Sequence, residues 1–194
     1  MAERIILGID PGTVVMGFAV ISASGQRYKL ISAGAVKFKS KDPHYDRLHE
    51  IFEAVSGIIK LHNPQEIAIE EPFFGKNVQS MLKLGRAQGV AIAAGMQHKL
   101  PVTGYSPRSV KQSITGKGSA SKEQVATMLQ SIFSFKEKPV HLDATDALAV
   151  ALCHHFQTRI ADNADEKINV TKAKNLKSKK SWGDFISNNP DRVK

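Results

Sequence analysis

Ile5-Ile6-Leu7-Gly8-Ile9-Asp10-Pro11-Gly12 decides how this chain folds. An apolar run of this length, broken by Pro-Gly, reads as a β-strand followed by a turn. The strand closes on an acid, and an acid at a buried strand end sits where charge is costly. The pattern recurs at Ile67-Ala68-Ile69-Glu70. Two further acids, Asp143 and Asp146, stand three residues apart in a helical pattern near the end of the chain. Carboxylates brought together repel unless something positive lies between them. The simplest such partner is a hard divalent cation, Mg²⁺ with Mn²⁺ as its substitute, which takes oxygen ligands from a few carboxylates and a substrate phosphate.

Working outward, Arg4 to Asp10 is the first strand and Gly17 to Ser22 the second. Ser24-Gly25-Gln26 is a turn, and Lys29 to Lys37 is the third strand. Together they make an antiparallel meander. Asp46 to Leu61 has helical spacing, with Leu48, Ile51, Phe52, Val55, Ile58 and Ile59 on one stripe. Glu66 to Glu70 is a fourth strand and Asn77 to His98 a long helix. Small residues fill the middle of that helix, where glycines cost about 1 kcal/mol each against alanine. They imply a close approach, either to the protein's own sheet or to another subunit. Pro101 to Tyr105 is a fifth strand. Ser106-Pro107 starts a short helix, Gly116 to Ala120 is a flexible loop, and Ser121 caps the next helix. The last helix runs from Leu142 to Phe156.

This order predicts an α/β fold: a five-stranded mixed sheet, an antiparallel meander plus two parallel strands, flanked by helices. If the fourth strand lies beside the first, Asp10 and Glu70 leave the sheet at neighbouring carboxyl ends, where ligands bind in open α/β sheets. Asp143 and Asp146 share a helix face. That helix, packed across the strand ends, would complete a pocket of four acids. Two ions roughly 4 Å apart would suit it, with water as nucleophile and a 3′ oxygen as leaving group. No Ser-His-Asp or Cys-His arrangement offers a side-chain nucleophile. Each acid alone has a plainer reading: Asp10 as a turn former, Asp143 as a helix cap, Glu70 as the partner of a lysine. Glu71 points to the other side of its strand and is assigned a supporting role. The four together favour catalysis.

The chain has 194 residues and a net charge of +9, which favours phosphate-rich partners. With 42% hydrophobic residues it can build a core. The single cysteine, Cys153, excludes an internal disulfide and suits a reducing compartment. The amino terminus is too short in apolar residues and too charged for a signal peptide or membrane span. Residues 1–160 read as one nuclease domain. Residues 161–194 read as a basic, disordered tail. Residues 162–194 carry eight Lys or Arg against five Asp or Glu, a weak electrostatic arm at most. Gly116-Lys117 is not a phosphate-binding P-loop, because Lys111 and Gly118 occupy the wrong positions for it. His154 and His155 project about 100° apart on their helix and are poorly placed to share a metal.

The chain resembles the RuvC-type Holliday junction resolvases from Ile5 to about Gln157. The likeness rests on Gly8-Ile9-Asp10-Pro11-Gly12, Ala68-Ile69-Glu70, Lys83 to Ile92, Val110-Lys111-Gln112, Gly116 to Lys122 and Asp143 to Ala149. The resemblance implies a ribonuclease H-like fold, a homodimer, and Mg²⁺-dependent symmetric cutting of four-way DNA junctions that leaves 5′-phosphate ends. It implies a cytoplasmic, nucleoid-associated setting in recombination and repair, with RuvA- and RuvB-type branch-migration proteins as partners. Asp10, Glu70, Asp143 and Asp146 fall on the family's catalytic, metal-binding acids. Lys111 and Lys122 fall on lysines near the scissile phosphate, where they would contact phosphate and stabilise transition-state charge. Phe73 falls on an aromatic that stacks on junction bases, a contact worth about 1–3 kcal/mol per base. One of Phe73 and Phe74 is expected inward and one outward. Lys76, Lys83, Arg86, Arg108 and Lys117 are candidate DNA contacts, with a solvated surface charge of nearly equal weight for each. Two other functions fit parts of the sequence. A sugar-kinase or actin-like ATPase shares Asp10-Pro11-Gly12-Thr13 but needs two such domains around its nucleotide. A non-catalytic junction scaffold would gain nothing from four acids facing phosphate.

Overall fold

A computed structural model describes residues 3–72, 77–134 and 143–159. Phe73, Phe74, Lys76 and the tail 161–194 lie outside the described residues. Five strands form one sheet: β1 (Arg4–Asp10), β2 (Val15–Ser24), β3 (Arg27–Lys37), β4 (Glu66–Glu70) and β5 (Val102–Tyr105). Their order is β3-β2-β1-β4-β5. The pairs β3-β2 and β2-β1 are antiparallel; β1-β4 and β4-β5 are parallel. The helices are α1 (His44–His62), α2 (Val78–Gln97), α3 (Pro107–Thr115) and α4 (Lys122–Phe133), then α5 over residues 143–159.

β1 is central because both of its faces are buried. Ile6, Leu7 and Ile9 have no exposed surface, and each such burial is worth roughly 2 kcal/mol. Neighbouring side chains go to opposite sides of the sheet. Leu7 and Ile9 join Ile51, Val55 and Ile59 of α1 and Ala87, Ala91 and Ala94 of α2. Ile6 joins Val110 and Ile114 of α3, Val125 and Leu129 of α4, and the apolar residues of α5. The sheet is thus covered by α1 and α2 on one face and by α3, α4 and α5 on the other.

The strands and helices fall where the periodicity puts them, with ends displaced by one to three residues. β2 and β3 run longer than expected because the meander continues to the turn, where Gly25 takes a positive φ of 61°. Asn77 is outside α2 as its cap, its side chain accepting from the Ser80 N–H at 3.1 Å. Ser121 and Gln124 form a reciprocal capping box on α4. The small residues of α2 divide by face. A Cβ at Gly95 would stand 2.7 Å from Ile67 Cδ1, whereas Gly85 and Gly89 face open space. Among the described residues, no helix is long and apolar enough to cross a membrane.

One expectation needs correction. The segment after α3 is not a loose loop. Gln112 Nε2 donates to the Gly116 carbonyl at 2.7 Å, and its Oε1 accepts from the Gly118 N–H at 2.9 Å. Thr115 Oγ1 accepts from the Lys117 N–H at 3.2 Å, and its one proton lies between the Lys111 carbonyl at 2.8 Å and the Lys117 carbonyl at 3.0 Å. Glycines that read locally as flexibility serve here as sites where a side-chain amide can grip the backbone.

Candidate active site

Asp10 and Glu70 meet because β1 and β4 are parallel and in register. Ile9 pairs with Ile69, so the residues that follow leave the sheet side by side. Asp143 and Asp146 come from α5, and two glycines set how closely that helix approaches. A Cβ at Gly17 would stand 2.0 Å from the Asp143 carbonyl oxygen, and a Cβ at Gly8 would stand 2.1 Å from that of Ala147. Any larger residue at either place would push the helix outward. Gly17 is the antiparallel partner of Asp10, so the same contact brings Asp143 against the strand position beside Asp10.

The electrostatics show that the acids form one group. Burial holds the Asp10 carboxyl up at about 7, assisted by the negative charges of Asp146 and Asp143 and opposed by Lys122. Burial likewise raises Glu70 to about 8, assisted by Asp10 and Asp146 and opposed by Lys122 and Lys111. The positive side of the site belongs to α3 and α4. Lys122 Nζ donates to Asp146 Oδ2 at 2.6 Å. That bond, with the charges of Asp146, Asp10 and Glu70, pushes the lysine upward. A cleft of about 130 Å³ opens here, lined by Glu70, Lys111, Lys122 and Asp146 over the apolar floor of Val110 and Val125.

The structure therefore gathers Asp10, Glu70, Asp143, Asp146, Lys111 and Lys122. Lys83 and Arg86 are exposed on α2, on the opposite face of the sheet. With Arg47 they hold the His44 imidazole below its usual range, after the larger effect of burial. Arg47 Nη1 donates to the Thr13 carbonyl at 2.8 Å, bracing the turn that follows Asp10. Arg108 is exposed on α3 and packs along Gly118; Lys117 is exposed on the braced segment. Glu71 lies past the end of β4, its side chain over Gly104. Sequence reasoning passed over Gly8 and Gly17, although a glycine inside a strand pattern is a signal of close backbone approach. Arg47 carried no local signal, and Gln112 none for its grip on the segment after α3.

The donor set fits Mg²⁺. All its ligand atoms are hard carboxylate oxygens, with no thiolate and no imidazole among them. Two acids whose burial and mutual repulsion disfavour ionisation make a place that a cation would stabilise. Among the described residues, no three acidic, histidine or cysteine groups are drawn together as a ready ligand cage.

A five-stranded mixed sheet with acids at its carboxyl edge and a helix laid across it defines a ribonuclease H-like nuclease. The sequence profile of the crossover junction endodeoxyribonuclease RuvC matches residues 6–154. A RuvC protein of Cytophaga hutchinsonii is 52% identical over 192 residues, covering 99% of this chain and 89% of that one. Thermus thermophilus RuvC, solved with a Holliday junction substrate, is 34% identical with a TM-score of 0.77, covering 81% of this chain and 96% of the other. A yeast mitochondrial Holliday junction resolvase, 11% identical over 81% of this chain and 80% of its own, shares the fold with a TM-score of 0.61. This chain belongs to the RuvC family of crossover junction endodeoxyribonucleases, enzymes of DNA recombination.

Proposed function

We propose that Asp10, Glu70, Asp143 and Asp146 form the cutting site of this resolvase, which hydrolyses two strands of a four-way junction by paired, symmetric nicks. The observation that carries this reading is the in-register pairing that ends β1 and β4 together on Asp10 and Glu70, with α5 seated against them through Gly8 and Gly17. The junction as substrate is supported by family membership and by the complex of the Thermus thermophilus relative. The four acids would hold Mg²⁺, probed equally by Mn²⁺, as two ions that when bound supply charge neutralisation and an activated water.

The chain's own residues then have separable tasks. Lys111 and Lys122 flank the acids and would hold the non-bridging oxygens of the scissile phosphate, stabilising the charge that grows there. Lys122 exchanges its bond to Asp146 for one to phosphate as substrate enters. Water attacks phosphorus, the bond to the 3′ oxygen breaks, and a 5′-phosphate and a 3′-hydroxyl result. Phe73 would support bases unstacked at the junction centre. Lys76, Lys83, Arg86, Arg108 and Lys117 would hold backbone phosphates of the arms.

Symmetric cutting calls for two copies of the site. The exposed apolar stripe of α2, with Val78, Leu82 and Met96 beside the open faces of Gly85 and Gly89, supports α2 as a homodimer surface. Branch-migration proteins of the RuvA and RuvB type belong to the same proposal.

One gel tests the reading: a synthetic four-way junction and a linear duplex of equal length, each with and without Mg²⁺. Symmetric, Mg²⁺-dependent nicks in the junction alone are expected. Equal cutting of the duplex, or cutting undiminished in EDTA, would overturn it.

A further inference from the structure

At the opposite end of α5 lies a polar cluster that the proposed chemistry does not use. His154, 4% exposed, has both ring nitrogens engaged. Nδ1 is 2.8 Å from Tyr105 Oη, and Nε2 is 2.5 Å from Glu66 Oε2. The other oxygen of Glu66 is 3.3 Å from Arg4 Nη1. A carboxylate only accepts, so Nε2 carries the proton; Nδ1 of the neutral ring must then accept, and the tyrosine donates. Burial lowers the imidazole from its ordinary value and raises the phenol to about 12, which keeps both neutral. The cluster ties together α5, the start of β4, the end of β5 and the start of β1.

We infer that His154 is a positioning residue: it fixes where α5 lies along the sheet and so sets Asp143 and Asp146 opposite Glu70 and Asp10. The glycine contacts at Gly8 and Gly17 fix how close the helix comes, but a glycine surface is smooth along the helix axis. A directional bond is needed to stop sliding. The spans match. From His154 back to Asp146 the helix covers about 12 Å. From Glu66 to Glu70 the strand covers about 13 Å. The helix runs antiparallel to β4, so tying His154 to Glu66 brings Asp146 level with Glu70. Tyr105 closes the arrangement, because it is the register partner of Glu70 itself. His155 adds a second stop: its Nε2 is 2.9 Å from the Gly25 carbonyl oxygen.

This inference rests on the acids being the cutting site, so its test carries a separate readout. Mn²⁺ binding to the DNA-free protein, followed by titration calorimetry, is compared with the Mg²⁺ midpoint of junction cleavage and with junction binding in EDTA. His154→Leu should weaken Mn²⁺ about tenfold or more and slow cleavage about a hundredfold, with junction binding in EDTA retained. His154→Gln, which can both donate and accept, should recover part of each loss. A folded His154→Leu protein with unchanged Mn²⁺ affinity and Mg²⁺ midpoint would overturn the inference, whatever its melting temperature. If His154→Leu does not fold, Tyr105→Phe and Glu66→Met nearly keep the volumes and each remove a bond to His154; wild-type Mn²⁺ binding in both would overturn it equally. Asp10→Asn separates the two claims. If that variant cuts undiminished, the assignment of the site falls and the inference with it. If that variant is inactive while folded His154 variants bind Mn²⁺ normally, the inference alone falls.

Discussion

The two helical layers are built by different rules. On the α1 and α2 face the sheet presents Leu7, Ile9, Val20, Ile67 and Ile69 to Ile51, Val55 and Ile59. Large aliphatic side chains of the sheet and α1 fill the space there, while α2 meets the sheet's side chains with Ala87, Ala91 and Ala94. On the α5 face the contact is made by Gly8 and Gly17 against the helix backbone itself, with Ala147 and Ala151 alongside. A layer of side chains tolerates small shifts, since isosteric repacking usually costs under about 1.5 kcal/mol. A backbone contact leaves no room for added atoms between the two elements. The tolerant layer carries none of the four acids, and the exacting one carries Asp143 and Asp146. The polar ties differ as well: α5 is held at its far end by His154 to Glu66 and Tyr105.

The largest effect should come from the acids. Asp10→Asn removes a charge that would face cation and phosphate, a loss of several kcal/mol that slows cleavage on the order of a thousandfold. Junction binding in a gel-shift assay should persist. Undiminished cutting by this variant would remove the functional distinction between the two layers.

Gly17→Ala comes next. Its new Cβ meets the Asp143 carbonyl and must displace α5. Cleavage should fall about a hundredfold, and unfolding free energy by about 1–3 kcal/mol in urea titration. Ile51→Val, in the other layer, should cost about 1 kcal/mol and leave the Mg²⁺ midpoint of cleavage where it was. Equal catalytic losses from the two substitutions would erase the contrast.

The pH dependence is smaller. The carboxyls of Asp10 and Glu70 hold their protons up to about 7 and about 8 when folded, against ordinary values of 3.8 and 4.5. Between those limits the unfolded chain binds fewer protons than the folded one. Their contribution to stability is full below the ordinary values and is lost as pH rises through about 7 to 8. In EDTA, Glu70→Gln should gain melting temperature over the native protein as pH is raised from about 5 to about 8. Mg²⁺ should shrink that gain. A difference that stays flat with pH would show the acids to be better solvated than their burial implies.

Much of this was legible in advance because it is local. The apolar run ending in Asp10, the matching run ending in Glu70, the Ser121 cap and the spacing of Asp143 and Asp146 are patterns within a few residues. The braced Gly116–Gly118 segment was misread because Gln112 reaches it through its side chain, and composition shows only the glycines. The meeting of His154 with Glu66 spans 88 positions of chain, and no periodicity foretells it.

By itself the sequence determined which segments become strands and helices, which acids end them, and the family to which they point. All of these follow from hydrophobic period and short-range chemistry. Tertiary structure alone decided that α5 comes within backbone contact of β1 and β2, that Lys122 rests on Asp146, and that His154 ties the helix to the strand ends. Those depend on register between distant elements. A displacement of a few ångströms would leave every local pattern intact and separate the acids from one another.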